Sequence, residues 1–165
     1  MSNFDSGMEA ARGYRLERVQ IVPRGREEVF PFFADPMNLE RITPPFLHFR
    51  IVTPPPLEMR PGLLIDYRLR LYGIPLGWRT RIEAWEPPHG FTDVQVSGPY
   101  RSWVHRHEFV EVSGGTEVRD CVDYVLPFGP LGRIAHPLVR ASLDRIFAYR
   151  RGAIARAFGI TREGR

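Results

Sequence analysis

The densest run of polar and aromatic side chains in the chain is Gly98-Pro99-Tyr100-Arg101-Ser102-Trp103-Val104-His105-Arg106-His107-Glu108-Phe109. Side chains two apart in a strand share a face, so Trp103, His105, His107 and Phe109 stand together. Two imidazoles framed by aromatic rings on an inner face need partners, because a buried polar group without a hydrogen bond is costly. The following strand offers one: Val118, Val122, Tyr124 and Leu126 form its apolar face, with Asp120 in the middle. If the Gly114-Gly115 turn pairs the two strands, Asp120 meets His105 or His107, orients the ring and raises its pKa. Asp93 and Gln95, on the strand before, share the phase of Phe91 and face the same way.

Four chemistries suit this set. Polar anchors on an apolar wall hold a small molecule. A His-Asp pair, His105 or His107 with Asp120, acts as acid and base for proton abstraction or dehydration. A satisfied buried network fixes strand register. His-x-His spacing also suits a metal, but two ligands without a third argue weakly for one, and no metal is expected.

Composition removes other chemistries. All 23 basic residues are arginine, which rules out a lysine Schiff base and a lysine-bearing phosphate loop. No dinucleotide glycine pattern follows a strand, and no Gly-x-Ser-x-Gly elbow occurs, so no cofactor is expected. Cys121 is the single cysteine, in the opposite phase to Asp120, so it forms no internal disulfide and points away from the site. The net charge is +4, yet the arginines are dispersed among acids, and the reading is a mixed-charge surface without nucleic acid as partner. No apolar run approaches the roughly 18 residues of a membrane span, and the N-terminus has no secretory pattern. A cytoplasmic protein is expected, and the sequence leaves a homodimer open.

Positioning those residues is a job for strands. Tyr14 to Val22 reads as a first strand, and Glu27 to Phe33 as a short helix interrupted by Pro31. Asp35 and Pro36 suit the cap and first position of a second helix ending before Pro44-Pro45. Phe46 to Thr53 is a candidate strand. Leu63, Ile65, Tyr67, Leu69 and Leu71 then alternate with Asp66, Arg68 and Arg70; Trp78, Thr80, Ile82 and Ala84 alternate with Arg79, Arg81 and Glu83. This phase puts Tyr67, Trp78 and Thr80 on the same cavity wall as Trp103 and His105, with Arg79, Arg81 and Glu83 outside. Strands at 91–97, 101–111 and 116–126 complete a meander. Phe30, Phe32 and Phe33, with Leu39 and Ile42, are placed over one mouth of the pocket.

From about His136 to Phe158 the period becomes helical, with Val139, Leu143, Ile146, Phe147, Ile154 and Ala157 on one stripe facing the sheet. Phe147 joins the pocket residues. Arg150 falls inside that stripe, where it either snorkels to water or reaches into the cavity toward Asp93, Asp120 or an anionic ligand.

Several stretches together resemble one family: Phe32-Phe33-Ala34-Asp35-Pro36-Met37-Asn38-Leu39-Glu40, Ile42-Thr43-Pro44-Pro45, Ile65-Asp66-Tyr67-Arg68-Leu69, Trp85-Glu86-Pro87-Pro88, Gly98-Pro99-Tyr100 with Trp103, His105 and His107, and Asp123-Tyr124-Val125-Leu126-Pro127. Over residues 14–158 the chain is similar to the bacterial branch of the START-like superfamily, also called SRPBCC, which includes pollen allergens and aromatic polyketide cyclases. The resemblance implies an α+β helix-grip fold: a curved antiparallel sheet of six to seven strands, two short helices and a long C-terminal helix over a cavity. One domain over 13–159 is expected, with tails at 1–12 and 160–165. The function expected is binding of a small hydrophobic or amphipathic molecule, including one bearing a carboxylate. A cyclase or dehydratase working through His105 or His107 with Asp120 stands second, and a module whose basic surface meets an acidic protein or a membrane stands third.

Overall fold

The computed structural model describes residues 13–160, so the tail expected over 1–12 and all but the first residue of the one over 160–165 lie outside the described residues. Seven strands form one antiparallel sheet in the order β1-β7-β6-β5-β4-β3-β2. They are β1 (Tyr14–Val22), β2 (Arg50–Ile51), β3 (Leu64–Leu71), β4 (Ile74–Glu86), β5 (Gly90–Ser97), β6 (Ser102–Val112) and β7 (Gly115–Val125). Helices α1 (Arg26–Ala34) and α2 (Asn38–Arg41) follow β1, and α3 (Pro130–Ala157) closes the chain. Strands β3 to β7 run as consecutive hairpins, and β1 pairs with β7 rather than with its sequence neighbour.

The inner face of the sheet carries two apolar clusters. One joins Val22, Val29, Phe30, Phe91, Phe109, Val118, Ala153 and Ile154. The other joins Leu16, Trp103, Val122, Tyr124, Leu143 and Phe147. Strand β6 contributes Trp103 to the second cluster and Phe109 to the first, with His105 and His107 between them. Strand β7 repeats the arrangement with Val122, Asp120 and Val118. A band of buried polar residues therefore crosses the sheet between two apolar zones. On the outer face Arg79 pairs with Asp66, and Arg15 and Arg106 share Asp123, which matches the mixed-charge surface expected. Cys121 lies on that side, near Arg106.

Four local expectations change. Glu83 is a bulge: Ile82 pairs with Asp93 and Ala84 with Thr92, so Trp85, opposite Phe91, packs inward with Phe30 and the simple alternation stops at Ile82. The candidate strand from Phe46 to Thr53 shrinks to Arg50–Ile51, because Pro45–Leu47 is a turn of 3-10 helix and His48 adopts a left-handed conformation. The side chain of Glu40 accepts the Ile51 N–H at 2.8 Å in place of a ladder partner. The second helix starts at Asn38, not Pro36; Asp35 instead caps the preceding turn by accepting the Met37 N–H at 2.9 Å. Helix α3 begins at Pro130, and its buried stripe uses Ala153 in place of the exposed Ala157.

Gly90 has a packing reason. A Cβ there would collide with the carbonyl oxygen of His107, so glycine lets β5 approach β6 beside the polar band.

Candidate functional site

A cavity of about 200 Å³ lies between the sheet, α1, α2 and α3. Tyr67, Trp78, Thr80, Asp93, Trp103, His105, His107, Phe147 and Arg150 line it, as do Ile82, Leu143 and Ile146. Phe32, Phe33, Leu39 and Ile42 sit at the cavity too, whereas Phe30 is packed in the core against Phe91 and Phe109. Arg79, Arg81 and Glu83 are exposed. Gln95, Asp120 and Tyr124, expected by their strand phase among the ligand-binding residues, do not reach the cavity surface. Gln95 folds back on Tyr100, donating to its carbonyl at 2.7 Å and accepting its N–H at 3.3 Å, and so pins the Gly98-Pro99 turn. Tyr124 is buried in the second cluster with its hydroxyl 3.1 Å from Nε2 of His136. Asp120 stands behind the two histidines.

The pairing register assembles the polar band. His107 lies opposite Asp120, and His105 opposite Asp93. His105 Nε2 is 3.0 Å from Oδ1 of Asp120, and His107 Nδ1 is 2.9 Å from the same oxygen, off the line of a good hydrogen bond. On the cavity side, His107 Nε2 is 3.3 Å and His105 Nδ1 3.8 Å from Oδ2 of Asp93. The Thr80 hydroxyl is 3.3 Å from the other oxygen of Asp93. Phe91 stacks on the His107 ring, with centroids 4.2 Å apart.

Burial disfavours charge throughout this band, and the neighbours decide which groups stay ionised. Burial works against charge on Asp120 and Asp93, but the two histidines outweigh it and hold both carboxyls below the usual range. For His107 burial is again opposed, by Asp120 and Asp93, and its pKa lies above the ordinary 6.5. For His105 burial and the neighbouring His107 win over Asp120, and its pKa lies below 6.5. The rise expected from an Asp120 partner therefore holds for His107 and reverses for His105, because two imidazoles this close do not both stay charged. Followed by NMR, His107 should titrate above 6.5 and His105 below it. Two rings titrating together at the free-imidazole value would contradict the network.

Arg150 extends from α3 to the cavity wall, its guanidinium carbon 5.1 Å from the centre of the Phe147 ring. Its Nε is buried and has no hydrogen-bond partner among the described residues. Burial pulls its pKa down, and Asp120 and Asp93 pull it back.

Strand phase found most of the wall contributed by the sheet but also pointed to Gln95, Asp120 and Tyr124, which lie off it. It could not find Met59 and Thr43, which lie in loops, or Asn38, which opens the one-turn helix α2, because no periodicity encodes the direction of such short segments.

No family model and no curated protein matches the sequence. Solved structures do match it. An aromatase/cyclase, Zhui, from Streptomyces sp. R1128 superposes with a TM-score of 0.71 at 16% identity, covering 89% of this chain and 94% of that one. A START superfamily protein from Mycobacterium smegmatis gives 0.64 at 14% identity over 88% of this chain and 99% of that one. The protein Ara h 8.0201 gives 0.62 at 16% identity over 87% and 99%. The chain shares the helix-grip fold of these structures. Among the described residues no helix is long and apolar enough to cross a membrane.

Proposed function

We propose that the protein binds a small amphipathic molecule, with an apolar body against the aromatic wall and an acidic head on Arg150. The observation that carries this reading is the buried Nε of Arg150, left without a partner beside the apolar wall of Trp78, Trp103, Phe147 and aliphatic side chains, in a cavity whose other polar lining includes Thr80, Asp93, His105 and His107. Arg150 is half-buried, and its buried Nε is unfavourable until an acceptor meets it; the guanidinium fork suits a carboxylate. Asp93 is already engaged by His107 and Thr80, and Asp120 by His105. The acceptor is therefore left for a ligand to supply.

The fluorophores anilinonaphthalenesulfonate and its uncharged parent phenylnaphthylamine test this. Both should bind the wild-type protein. Arg150→Leu should weaken the sulfonate by at least about tenfold, the worth of one charge-assisted hydrogen bond, and leave the parent within about twofold. Equal loss of both, or of neither, would count against Arg150 as the anchor. Failure of wild-type protein to bind either would count against the cavity itself.

A second reading rests on the order cavity, His105, Asp120. A carboxylate behind a cavity-facing imidazole is how an acid–base residue is oriented, and it supports a cofactor-independent cyclase or dehydratase. On that reading His105→Ala and His107→Ala abolish turnover of an aromatic polyketide while phenylnaphthylamine affinity stays. Turnover that survives both substitutions would remove it.

A further inference from the structure

We propose that Asp93, His105 and His107 form a site for one divalent first-row transition ion, such as Zn²⁺, at the wall of the cavity. The third ligand that His-x-His spacing lacked is Asp93, brought opposite His105 by the β5–β6 register. One ligand atom from each of the three residues lies within 4.8 Å of the others. His107 Nε2 and His105 Nδ1 are 3.3 and 3.8 Å from Oδ2 of Asp93. A tetrahedral zinc with ordinary bond lengths holds its ligand atoms roughly 3.4 Å apart.

Asp120 favours the required tautomer at His105, whose Nε2 is hydrogen-bonded to its Oδ1 at 3.0 Å. The rear nitrogen of His107 lies 2.9 Å from the same oxygen but off the line of a hydrogen bond. An N–H held toward Asp120 turns a ring's lone pair forward, the arrangement a carboxylate behind a metal-bound histidine produces. The front then presents two ring lone pairs and a carboxylate oxygen to one point. Three acceptors facing each other repel unless a cation sits among them. A proton on His107 joins it to Asp93 alone, whereas a metal ion engages all three at once. Two histidines and one carboxylate are a donor set that takes such ions and leaves a coordination position free. Here that position faces the cavity, since all three ligands line it and Asp120 does not. The site stands independently of the proposed acidic ligand, and either can fail without the other.

Metal-stripped protein is titrated with Zn²⁺ by calorimetry and with Co²⁺ by visible absorption. The expected result is one ion per chain, with intense cobalt d–d bands. Asp120→Asn should weaken Zn²⁺ about 10–100-fold, and Asp93→Asn and His107→Gln at least as much. Far-UV circular dichroism and a cooperative thermal transition like the wild type's would show that the variants keep the fold. His48 and His89 are exposed and could bind Zn²⁺ weakly; binding that Asp93→Asn leaves unchanged, or no saturable binding, overturns the site. The wild type gives a second readout that needs no variant. Zn²⁺ should shift the ring signals of His105 and His107 in NMR spectra, and shifts confined to His48 and His89 overturn the site equally.

Discussion

Replacing Asp120 with alanine should lower the unfolding free energy by about 3–5 kcal/mol near neutral pH, the usual cost of removing one partner from a buried charged network. Its carboxylate is the shared acceptor behind His105 and His107, and it is only 8% exposed. The substitution leaves two buried ring nitrogens with nothing to face. The loss should depend on pH in a defined way. The folded-state pKa of Asp120 is depressed, so its contribution is complete above the ordinary carboxyl value of 3.8 and fades as pH falls through the folded value. His107 has a raised pKa, so the part owed to its charge is complete below 6.5 and fades as pH rises through its folded value. The gap between wild type and Asp120→Ala should thus be widest between pH 3.8 and 6.5 and narrow as pH rises toward the raised pKa of His107. His105 adds an opposing slope: its pKa is lowered, so its contribution is present above 6.5 and lost on acidification. Urea unfolding across pH measures all of this. A difference below about 0.5 kcal/mol, the range of ordinary surface changes, would mean that the network carries no structural weight.

Phe109→Ala should cost a comparable amount, about 3–5 kcal/mol, for a different reason. Phe109 is 1% exposed, and its ring lies 5.3 Å from Phe30 and 5.1 Å from Phe33. Alanine there leaves a void between the sheet and α1 that neither wall can close, because Phe30 and Phe33 sit on a helix fixed by its own packing. Since Phe33 also lines the cavity, ligand affinity should fall alongside stability. Phe46 is the control. It is 50% exposed, and its removal should change stability by less than about 0.5 kcal/mol. Equal losses at the two positions in chemical unfolding would place the core elsewhere.

The sheet was legible because its strands alternate. Ile65, Tyr67, Trp78, Thr80, Ile82, Trp103 and His105 share a cavity because a period of two fixes which face each side chain takes, and paired neighbours preserve that choice. The same rule failed at Glu83, where the bulge turns Trp85 inward, since one extra residue has no signature in the alternation. It failed again at Phe46–Thr53, where apolar residues between prolines make a turn and only two strand residues. Asp120 was found by its place in an apolar face, yet its position behind the histidines depends on side-chain direction that phase does not give. Asp93 was likewise legible as an inward acid from the phase it shares with Phe91, but its convergence with both histidines needed the β5–β6 register. For Arg150 the helical wheel left two orientations open; the cavity wall formed by α3 and the sheet is where the guanidinium lies.

The tryptophans give the most direct test of the cavity. Trp78 and Trp103 line it, with rings edge to face at 5.3 Å, while Trp85 packs in the core against Phe30 and Phe91. Decanoate can be titrated into isotope-labelled protein and the three indole N–H signals followed by NMR. A ligand held in the cavity shifts the signals of Trp78 and Trp103, saturates, and leaves Trp85 nearly still. No saturable shift at Trp78 or Trp103, or equal movement of all three, would contradict binding at this site.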